Sequence, residues 1–233
     1  MMRTLTIKLA APLQSYGNEA TFSRRTSYHY PSKSAVLGMI AAALGYRRDD
    51  PRILQLNRLI IAVRIDQPGR ILTDFQTIQY DQKHNKRSLS YKDYLQDAVF
   101  ITAISGDDQQ IMTIENALHH PKFQLFLGRR VNVPAGPLHT QVFENSDPVS
   151  VLKTYPWQAA KWYQRRVHQD YYSAELITDA NLVKSHFTSF VKDNIGSFDE
   201  NHRWHVYRSV ASIRVKLLNK SYQNTEHDIM ANI

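Results

Sequence analysis

The chain has 233 residues, enough for one large domain or two small ones with a real hydrophobic core. Its 42% hydrophobic and 21% charged residues exclude wholesale disorder, and no apolar run approaches the roughly 20 residues that cross a bilayer. Cysteine is absent, which excludes disulfides and thiolate metal sites. Because the first segment also lacks the long apolar core of a secretion signal, we expect a cytoplasmic protein without a membrane partner.

The charge balance gives the first indication of function. The net charge is +8 and the sequence pI is about 9.6, with basic residues in both halves of the chain. The 13 tyrosines add aromatic rings that can stack on nucleobases. A basic, tyrosine-rich surface favours nucleic acid as the partner. On charge alone, a basic protein with no nucleic-acid partner fits equally well.

The first fifth of the chain predicts a strand, a loop and a buried helix. Residues 3–10 alternate apolar and polar side chains, which is typical of a strand with one buried face. A polar loop follows, and Ser32 is the expected N-cap of a helix at 33–44 that is apolar nearly all round. Gly45 is expected to end this helix in a left-handed conformation.

The next segments predict a β-hairpin and then a polar excursion. Residues 56–66 are rich in β-branched side chains and predict a strand, and "QPG" at 67–69 predicts a turn. Residues 70–78 alternate and are expected to return as the second strand of that hairpin. Residues 79–92 carry four cations against one acid and predict a polar loop.

A further strand, a helix and a last short strand complete the first part of the chain. Residues 97–106 predict an apolar strand, and Asp107 or Asp108 is the expected cap of a helix whose apolar residues recur at helical spacing. Residues 121–128 predict a final strand. Without the excursion and its return strand, the order β-α-β-β-α-β predicts an α+β fold of the ferredoxin-like type, which many RNA-binding modules use.

The composition changes after about residue 148. All three tryptophans lie beyond this point, and "ENSDPVS" has the make-up of a linker. Residues 205–219 predict a strand, and residues 221–233 predict a frayed tail. We therefore expect a first domain at 1–147 and a small β-rich domain at 148–233.

Four basic loops are candidates for binding phosphate. "FLGRR" combines Gly128, which permits a close backbone approach, with two arginines. "PSKS" lies at a helix start, where free N–H groups favour an anion. "SRRTSYHY" adds two arginines and three aromatic rings, and the excursion at 79–92 pairs cations with Tyr80 and Tyr91. Each loop alone is typical of a solvated turn, but four in one basic domain favour single-stranded RNA.

Catalysis and metal binding have weaker support. The close histidine pairs are 119–120 and 202/205, and neither has the spacing or acidic companion of a metal site, so we expect no metal and no cofactor. A metal-independent ribonuclease stays open as an alternative. It would use His29 with its flanking tyrosines, or His84 with nearby lysines, to move the proton of a 2′-hydroxyl.

Five motifs together resemble a known family. In chain order they are "LAAPLQSYG", "RRTSYHYPSKSAVLGMIAAALGYRRDD", "VRIDQPGRILTDFQT", "YLQDAVF" and "LFLGRRVNVPAGP". In order and spacing they resemble the CasD family, the repeat-handle-binding subunit of the type I-E CRISPR Cascade complex and part of the RAMP superfamily. The likeness covers about residues 3–140. Tyr16 stands where the family is expected to have Trp, and Ala35 where Gly is common.

The resemblance implies a fold, a role and partners. The fold would be a ferredoxin-like, RRM-like RAMP domain with a protruding β-hairpin thumb at about 79–96, followed by the small β-rich domain. The protein would be a non-catalytic RNA-binding subunit that holds the 5′ handle of the CRISPR RNA. It would contact the Cascade backbone subunit and large subunit and meet target DNA only indirectly, while a different subunit cleaves the precursor RNA.

The residues and the resemblance together define the expected RNA-binding set. These are the polar, basic and aromatic positions of the loops just described, with the pair that follows the first helix: Gln14, Ser15, Tyr16, Arg24, Arg25, Ser32, Lys33, Ser34, Arg47, Arg48, Tyr80, Lys83, Lys86, Arg87, Tyr91, Gly128, Arg129 and Arg130.

Overall fold

The structure, a computed structural model, describes residues 2–18, 23–81, 83–184 and 187–222. The strands are β1 (Met2–Ala10), β2 (Leu13–Gln14), β3 (Tyr16–Gly17), β4 (Arg24–Arg25), β5 (Ser27–Tyr28), β6 (Ile60–Gln67), β7 (Arg70–Asp81), β8 (Lys86–Gln96), β9 (Val99–Asp107), β10 (Thr140–Glu144), β11 (Tyr171–Asp179), β12 (Thr188–Ser197) and β13 (Trp204–Leu218). The helices are α1 (Lys33–Leu44), α2 (Arg52–Gln55), α3 (Asp108–His119), α4 (Pro148–Thr154) and α5 (Lys161–Arg166). The predicted α+β class is confirmed.

One antiparallel sheet of seven strands organises the molecule, in the order β10-β1-β9-β6-β11-β13-β12. Strands β11, β12 and β13 come from beyond residue 148, and β11 pairs directly with β6, with Ile177 opposite Val63. Strands from both sides of the predicted boundary therefore lie in the same sheet. Whether residues 148–233 fold as a unit of their own stays a prediction.

The two faces of this sheet are covered by different parts of the chain. Alternation along β6 sends Ile61 and Val63 into a core with α1 and α3, while Ala62 points to the other side. There it meets α4 and the segment around Trp157. No helix within the described residues is both long and apolar enough to span a membrane.

The first helix follows the sequence prediction closely. It spans Lys33–Leu44, and the Ser32 hydroxyl accepts a hydrogen bond from the Ala35 N–H at its start. Gly45 ends it with φ +79°, the left-handed conformation that glycine adopts without strain. Asp107 likewise caps α3 by accepting from the Gln109 N–H. Local capping chemistry and apolar spacing were therefore sufficient to predict both helices.

The predicted hairpin of residues 56–66 with 70–78 is wrong. Strand β6 is enclosed by β9 and β11, so neither of its edges is free to pair with the chain that follows the turn. Gly69, at φ +73°, redirects the chain, and β7 pairs with β8 instead. The excursion predicted as a loop at 79–92 is thus largely strand, with its turn between Asp81 and Lys86.

The strand predicted at 121–128 is also wrong. Leu125 and Leu127 are buried as an alternating strand would require, but the backbone here is irregular. The Leu127 N–H donates to the Asn132 carbonyl within a tight loop. Strand β10 takes the place beside β1 instead. The tail predicted at 221–233 lies outside the described residues apart from its first two positions.

The hairpin β7–β8 forms a long two-stranded ribbon. Eleven register pairs join its strands, from Arg70 opposite Gln96 to Asp81 opposite Lys86. Most of its outer side chains are exposed, including Ile71 and Phe75, whereas Tyr94 and Leu95 near its base are buried. We call this element the ribbon.

Candidate nucleic-acid interface

Segments far apart in sequence converge at the base of the ribbon. Strand β4 lies parallel to β8, and the Tyr91 N–H donates to the Ser23 carbonyl at 2.8 Å. The Ser15 N–H donates to the Leu127 carbonyl at 3.2 Å. We call the area formed by residues 14–16, 23–25, 91–95 and 127–130 the ribbon-base surface. It unites three of the predicted basic loops.

Gly128 has a packing role within this surface. Its φ of +91° lies in the left-handed region, and a Cβ built on it would overlap the carbonyl oxygen of Ser15. The sequence predicted a glycine that lets an RNA backbone approach. In the structure the segment that approaches is residues 14–16 of the protein itself. The glycine thereby fixes the position of the two arginines that follow.

The two arginines after Gly128 differ in their surroundings. The Arg129 Nη2 donates to the Arg25 carbonyl at 3.0 Å, and its guanidinium carbon lies 4.5 Å from the centre of the Tyr94 ring. Arg130 is exposed and forms neither an ion pair nor a hydrogen bond with any residue that the structure describes. Arg129 therefore holds the loop to the ribbon, and Arg130 is available to an external anion.

Arg24 and the ribbon aromatics lie beside this loop. The Arg24 side chain is 62% exposed, with its Nε 4.0 Å from the Asp93 carboxylate. Opposite it in register is Tyr91, whose ring centre is 6.5 Å from that of Phe75. Phe75 is itself 65% exposed. Exposed cations next to exposed rings can hold phosphates and stack bases at the same time.

Three of the predicted RNA-binding side chains are buried: Gln14, Ser15 and Tyr16. In this position they are not exposed to a bound RNA. The Gln14 amide donates to the Ala98 carbonyl at 2.7 Å and accepts from the Tyr16 hydroxyl at 2.6 Å. The Ser15 hydroxyl donates to the Asp93 carbonyl at 3.0 Å. Burial raises the pKa of Tyr16 well above its usual range. These three side chains position the ribbon-base surface from beneath.

The helix start at Ser32, Lys33 and Ser34 already holds an anion from the protein. The Asp193 carboxylate accepts from the Lys33 N–H at 2.7 Å and forms an ion pair with Arg208 at 2.6 Å. Ser32 and Lys33 are buried, and the Lys33 ammonium donates to the Asn57 carbonyl at 3.0 Å. Burial lowers the pKa of Lys33. A carboxylate of the protein therefore occupies the helix start at which the sequence predicted a phosphate.

The remaining predicted cations lie in two other places. Arg47 and Arg48 follow the far end of α1, roughly 18 Å along the helix axis from Ser32, and Arg48 lies 3.8 Å from Glu200. Around the turn of the ribbon are the exposed side chains of Tyr80, Lys83, Lys86 and Arg87. Neither group belongs to the ribbon-base surface, although both are accessible.

The two candidate general bases lie on different elements. The His84 Nδ1 is 2.6 Å from the Asp81 carboxylate in the ribbon turn, and this hydrogen bond lowers the pKa of Asp81. His29 precedes α1, with its Nε2 3.9 Å from Glu175 and its ring edge-on to Tyr30. Within the described residues no group of three or more His, Asp or Glu side chains is placed to hold a metal ion.

Sequence reasoning missed several residues that build the site. Tyr94 supports Arg129, and Asp93 meets both Arg24 and Thr73. Asp93 and Tyr94 lie in β8, which the residue pattern did not predict as a strand, so no local pattern linked them to the "FLGRR" loop. Asp193 lies 160 positions from the helix start that it caps. Only the tertiary contact reveals its role.

Comparison with known proteins places the chain in a family. A family model described as CRISPR-associated protein (Cas_Cas5) matches residues 4–215. The protein named CRISPR system Cascade subunit CasD from Escherichia coli (strain K12) is 29% identical over 201 residues, which cover 78% of this chain and 86% of that protein.

Two solved structures are similar over nearly the whole chain. A chain of a CRISPR RNA-guided surveillance complex is 30% identical with a TM-score of 0.77, and the match covers 98% of this chain and 96% of that one. A structure titled as a Cas protein is 25% identical with a TM-score of 0.65, covering 94% and 97%. The resemblance predicted from the sequence is confirmed: the chain belongs to the Cas5 family of CRISPR-associated proteins.

Proposed function

We propose that this protein is a non-catalytic RNA-binding subunit of a type I-E CRISPR Cascade surveillance complex. In this role it holds the 5′ repeat handle of the CRISPR RNA and contacts the backbone subunit and the large subunit in the cytoplasm. The main support is the ribbon-base surface, where exposed arginines lie beside exposed aromatic rings. Further support comes from the Escherichia coli relative, which is named a Cascade subunit, and from the similar chain of an RNA-guided complex.

The proposal includes a ferredoxin-like core of the RAMP type. Strands β1, β6, β9 and β10 with helices α1 and α3 follow the order β-α-β-β-α-β, and the ribbon is inserted between the second and third of these strands. The four strands are neighbours in the order β10-β1-β9-β6. In this assignment the ribbon is the thumb, and residues 148–233 are the small β-rich part.

The RNA would bind through its phosphates and through stacking. Phosphates would sit on Arg24, Arg25 and Arg130, and an unstacked base would lie on the Phe75–Tyr91 pair. The apolar side chains of the outer ribbon are a suitable surface for a neighbouring subunit, since exposed clusters of this kind mark interaction sites. The cations around the ribbon turn would then meet RNA that passes under it.

The arginine loop provides the direct test. We expect Arg129→Ala with Arg130→Ala to weaken binding of a labelled CRISPR repeat RNA. The slope of log Kobs against log salt should become shallower by about 0.7, the contribution of one phosphate contact on a single strand, because Arg130 is the phosphate-binding member of the pair. The matched control, Lys122→Ala with Lys184→Ala, removes the same charge from exposed positions elsewhere and should leave the slope unchanged. Equal slopes for the two double variants would refute the assignment.

Nuclease activity is the alternative that the same RNA tests. The close His84–Asp81 pair is the observation in its favour. Incubation of the purified protein with repeat RNA in EDTA should leave the RNA intact. Cleavage at one position that disappears in His84→Ala or His29→Ala would overturn the non-catalytic role. Absence of any RNA binding at low salt would instead indicate a basic structural protein.

A further inference from the structure

A second basic site lies away from the ribbon-base surface. A cavity of about 270 Å³ opens between the end of α4, the segment after it and the end of β13. Its wall is formed by Tyr155, Trp157 and Leu217, and its rim carries the lysines at 153, 216 and 220. We call it the three-lysine pocket. Its residues were not among the sites predicted from the sequence.

The charge of this pocket has a single sign. Its lysines come from three separate parts of the fold, α4, β13 and the turn after β13. No carboxylate lines the cavity, and none of the three lysines forms an ion pair within the described parts of the chain. A concave, partly apolar site that carries cations and no carboxylate has a concentrated positive potential. Such a site attracts an anion.

The wall of the pocket is rigid. The Trp157 ring stacks on Tyr172 at 4.6 Å with an interplanar angle of 9°, and its indole N–H donates to the Asp66 carbonyl at 2.8 Å. The buried Arg64 guanidinium donates to the carbonyls of Tyr155 and Pro156. These bonds hold the pocket in place before any ligand arrives, which lowers the entropic cost of binding.

The rim is held in the same way. Asn219, which is buried between two of the lysines, donates from its amide to the carbonyls of Gln164 and Val167 at 3.0 and 2.9 Å. Its own N–H donates to the Asp170 carbonyl at 2.7 Å. The backbone that carries Lys220 is therefore fixed, and only the flexible lysine side chains adjust to a ligand.

We propose that the three-lysine pocket binds a phosphodiester of single-stranded nucleic acid, with the phosphate on the lysines and a sugar or base against the aromatic wall. Lysine ammonium groups bind phosphate as point charges. The cavity volume of about 270 Å³, just below the usual range for small-ligand sites, suits a single nucleotide. This inference rests on the proposed function, because it extends the path of a bound strand.

The pocket is connected to the point where the ribbon leaves the sheet. The Gln158 and Ala160 N–H groups donate to the side chains of Asp66 and Gln67, the last residues of β6. The ribbon begins only three positions later, at Arg70. The segment after the pocket wall and the start of the ribbon are therefore both attached to the end of β6.

Charge removal with matched variants tests the proposal. One triple variant carries Lys153→Gln, Lys216→Gln and Lys220→Gln. The control triple carries Arg58→Gln, Lys122→Gln and Lys184→Gln, at exposed positions elsewhere, and has the same net charge. Binding of a labelled repeat RNA, and of DNA of the same sequence, is measured across salt concentrations. Thermal melts show that all three proteins are folded.

In the pocket variant we expect the slope of log Kobs against log salt to become shallower by about 2, because each of the three lost phosphate contacts contributes about 0.7. The control variant should keep the wild-type slope. A loss with RNA identifies the guide as the ligand, and a loss with DNA alone identifies a target strand. An unchanged slope with both nucleic acids, while the wild type still binds RNA, overturns the pocket and leaves the proposed function standing. Failure of the wild type to bind either nucleic acid overturns both.

Discussion

Two regions with similar sequence chemistry have opposite surroundings in this protein. Both the start of α1 at Ser32 and the loop at Gly128 combine turn residues with cations, and both were predicted to bind an external anion. At the helix start the anion is Asp193, delivered by strand β12 and paired with Arg208. At the loop, Arg130 is exposed to solvent, and the neighbouring Arg129 lies on the ring of Tyr94 in the ribbon.

This difference shows what a basic motif does and does not indicate. A helix N-terminus favours negative charge whatever its source, because its first N–H groups have no partner within the helix. A carboxylate from a distant part of the chain satisfies that preference as well as a phosphate does. A helix-start motif therefore predicts an anion but not whether the protein supplies it.

The largest expected effect comes from removing the internal anion. Asp193→Ala leaves Lys33 and Arg208 without a shared carboxylate in a buried position. We expect the free energy of unfolding to fall by about 3–5 kcal/mol, the usual cost of breaking a buried ion pair from one side. Urea unfolding measures it. Asp49→Ala, at an exposed carboxylate after α1, should have little effect.

The same variant sharpens the comparison with the loop. In Asp193→Ala the helix start becomes an empty anion site, so added inorganic phosphate should raise its melting temperature more than that of the wild type. An equal response of the two proteins would contradict the role given to Asp193. Where the alanine variant is too unstable to purify, Asp193→Ser serves instead, because it removes the carboxylate and leaves room for phosphate.

The next effect tests how the loop is held. Gly128→Ala forces a Cβ against the Ser15 carbonyl at a positive φ, whereas Gly136→Ala has a positive φ but open space around it. We expect about 1–3 kcal/mol of extra destabilisation at Gly128, the usual cost of overpacking. The urea midpoints of the two variants measure it. Equal losses would mean that the loop does not need its close approach to Ser15.

Substitution of the two loop arginines should have different effects, on the stability of the protein at Arg129 and on RNA binding at Arg130. Arg129→Ala removes a hydrogen bond and a cation–π contact with Tyr94, so the free energy of unfolding should fall by about 1–2 kcal/mol. Arg130→Ala should leave stability unchanged and weaken RNA binding. Paired urea and RNA titrations of both variants check this. A stability loss at Arg130 would show that the two arginines are not divided in this way.

The smallest effect is a pH dependence near the internal anion. Burial and nearby Arg203 lower the pKa of His205, so the folded state disfavours its protonated form. The unfolded chain, with a histidine pKa of about 6.5, then binds more protons just below that pH. The free energy of unfolding should fall slightly as the pH drops through this window. His205→Gln should reduce the fall, measured as urea midpoints above and below pH 6.5; an identical fall in both proteins would contradict it.

The elements that were predicted correctly depend on neighbours in sequence. Helix α1 was correct in its bounds and both caps, because Ser32 and Gly45 act on backbone groups within one turn. The predicted bounds of β1, β9 and β13 were within two residues of the observed ones for a similar reason. A run of β-branched or alternating residues indicates by itself that the segment is a strand with buried side chains. The errors concern pairing. Whether β7 returns to β6 depends on β11, more than 90 positions away, which occupies that edge.

By itself the sequence determined the family, the α+β class, the two long helices and five of the strands, and the basic, tyrosine-rich character of the chain. These follow from composition, from motif spacing and from contacts within a few residues. Tertiary structure alone decided that three basic loops meet at the ribbon base, that the fourth is closed by Asp193, and that three lysines surround one cavity. Each depends on side chains brought together across the sheet, and the local pattern of one segment carries no record of which distant segment will face it.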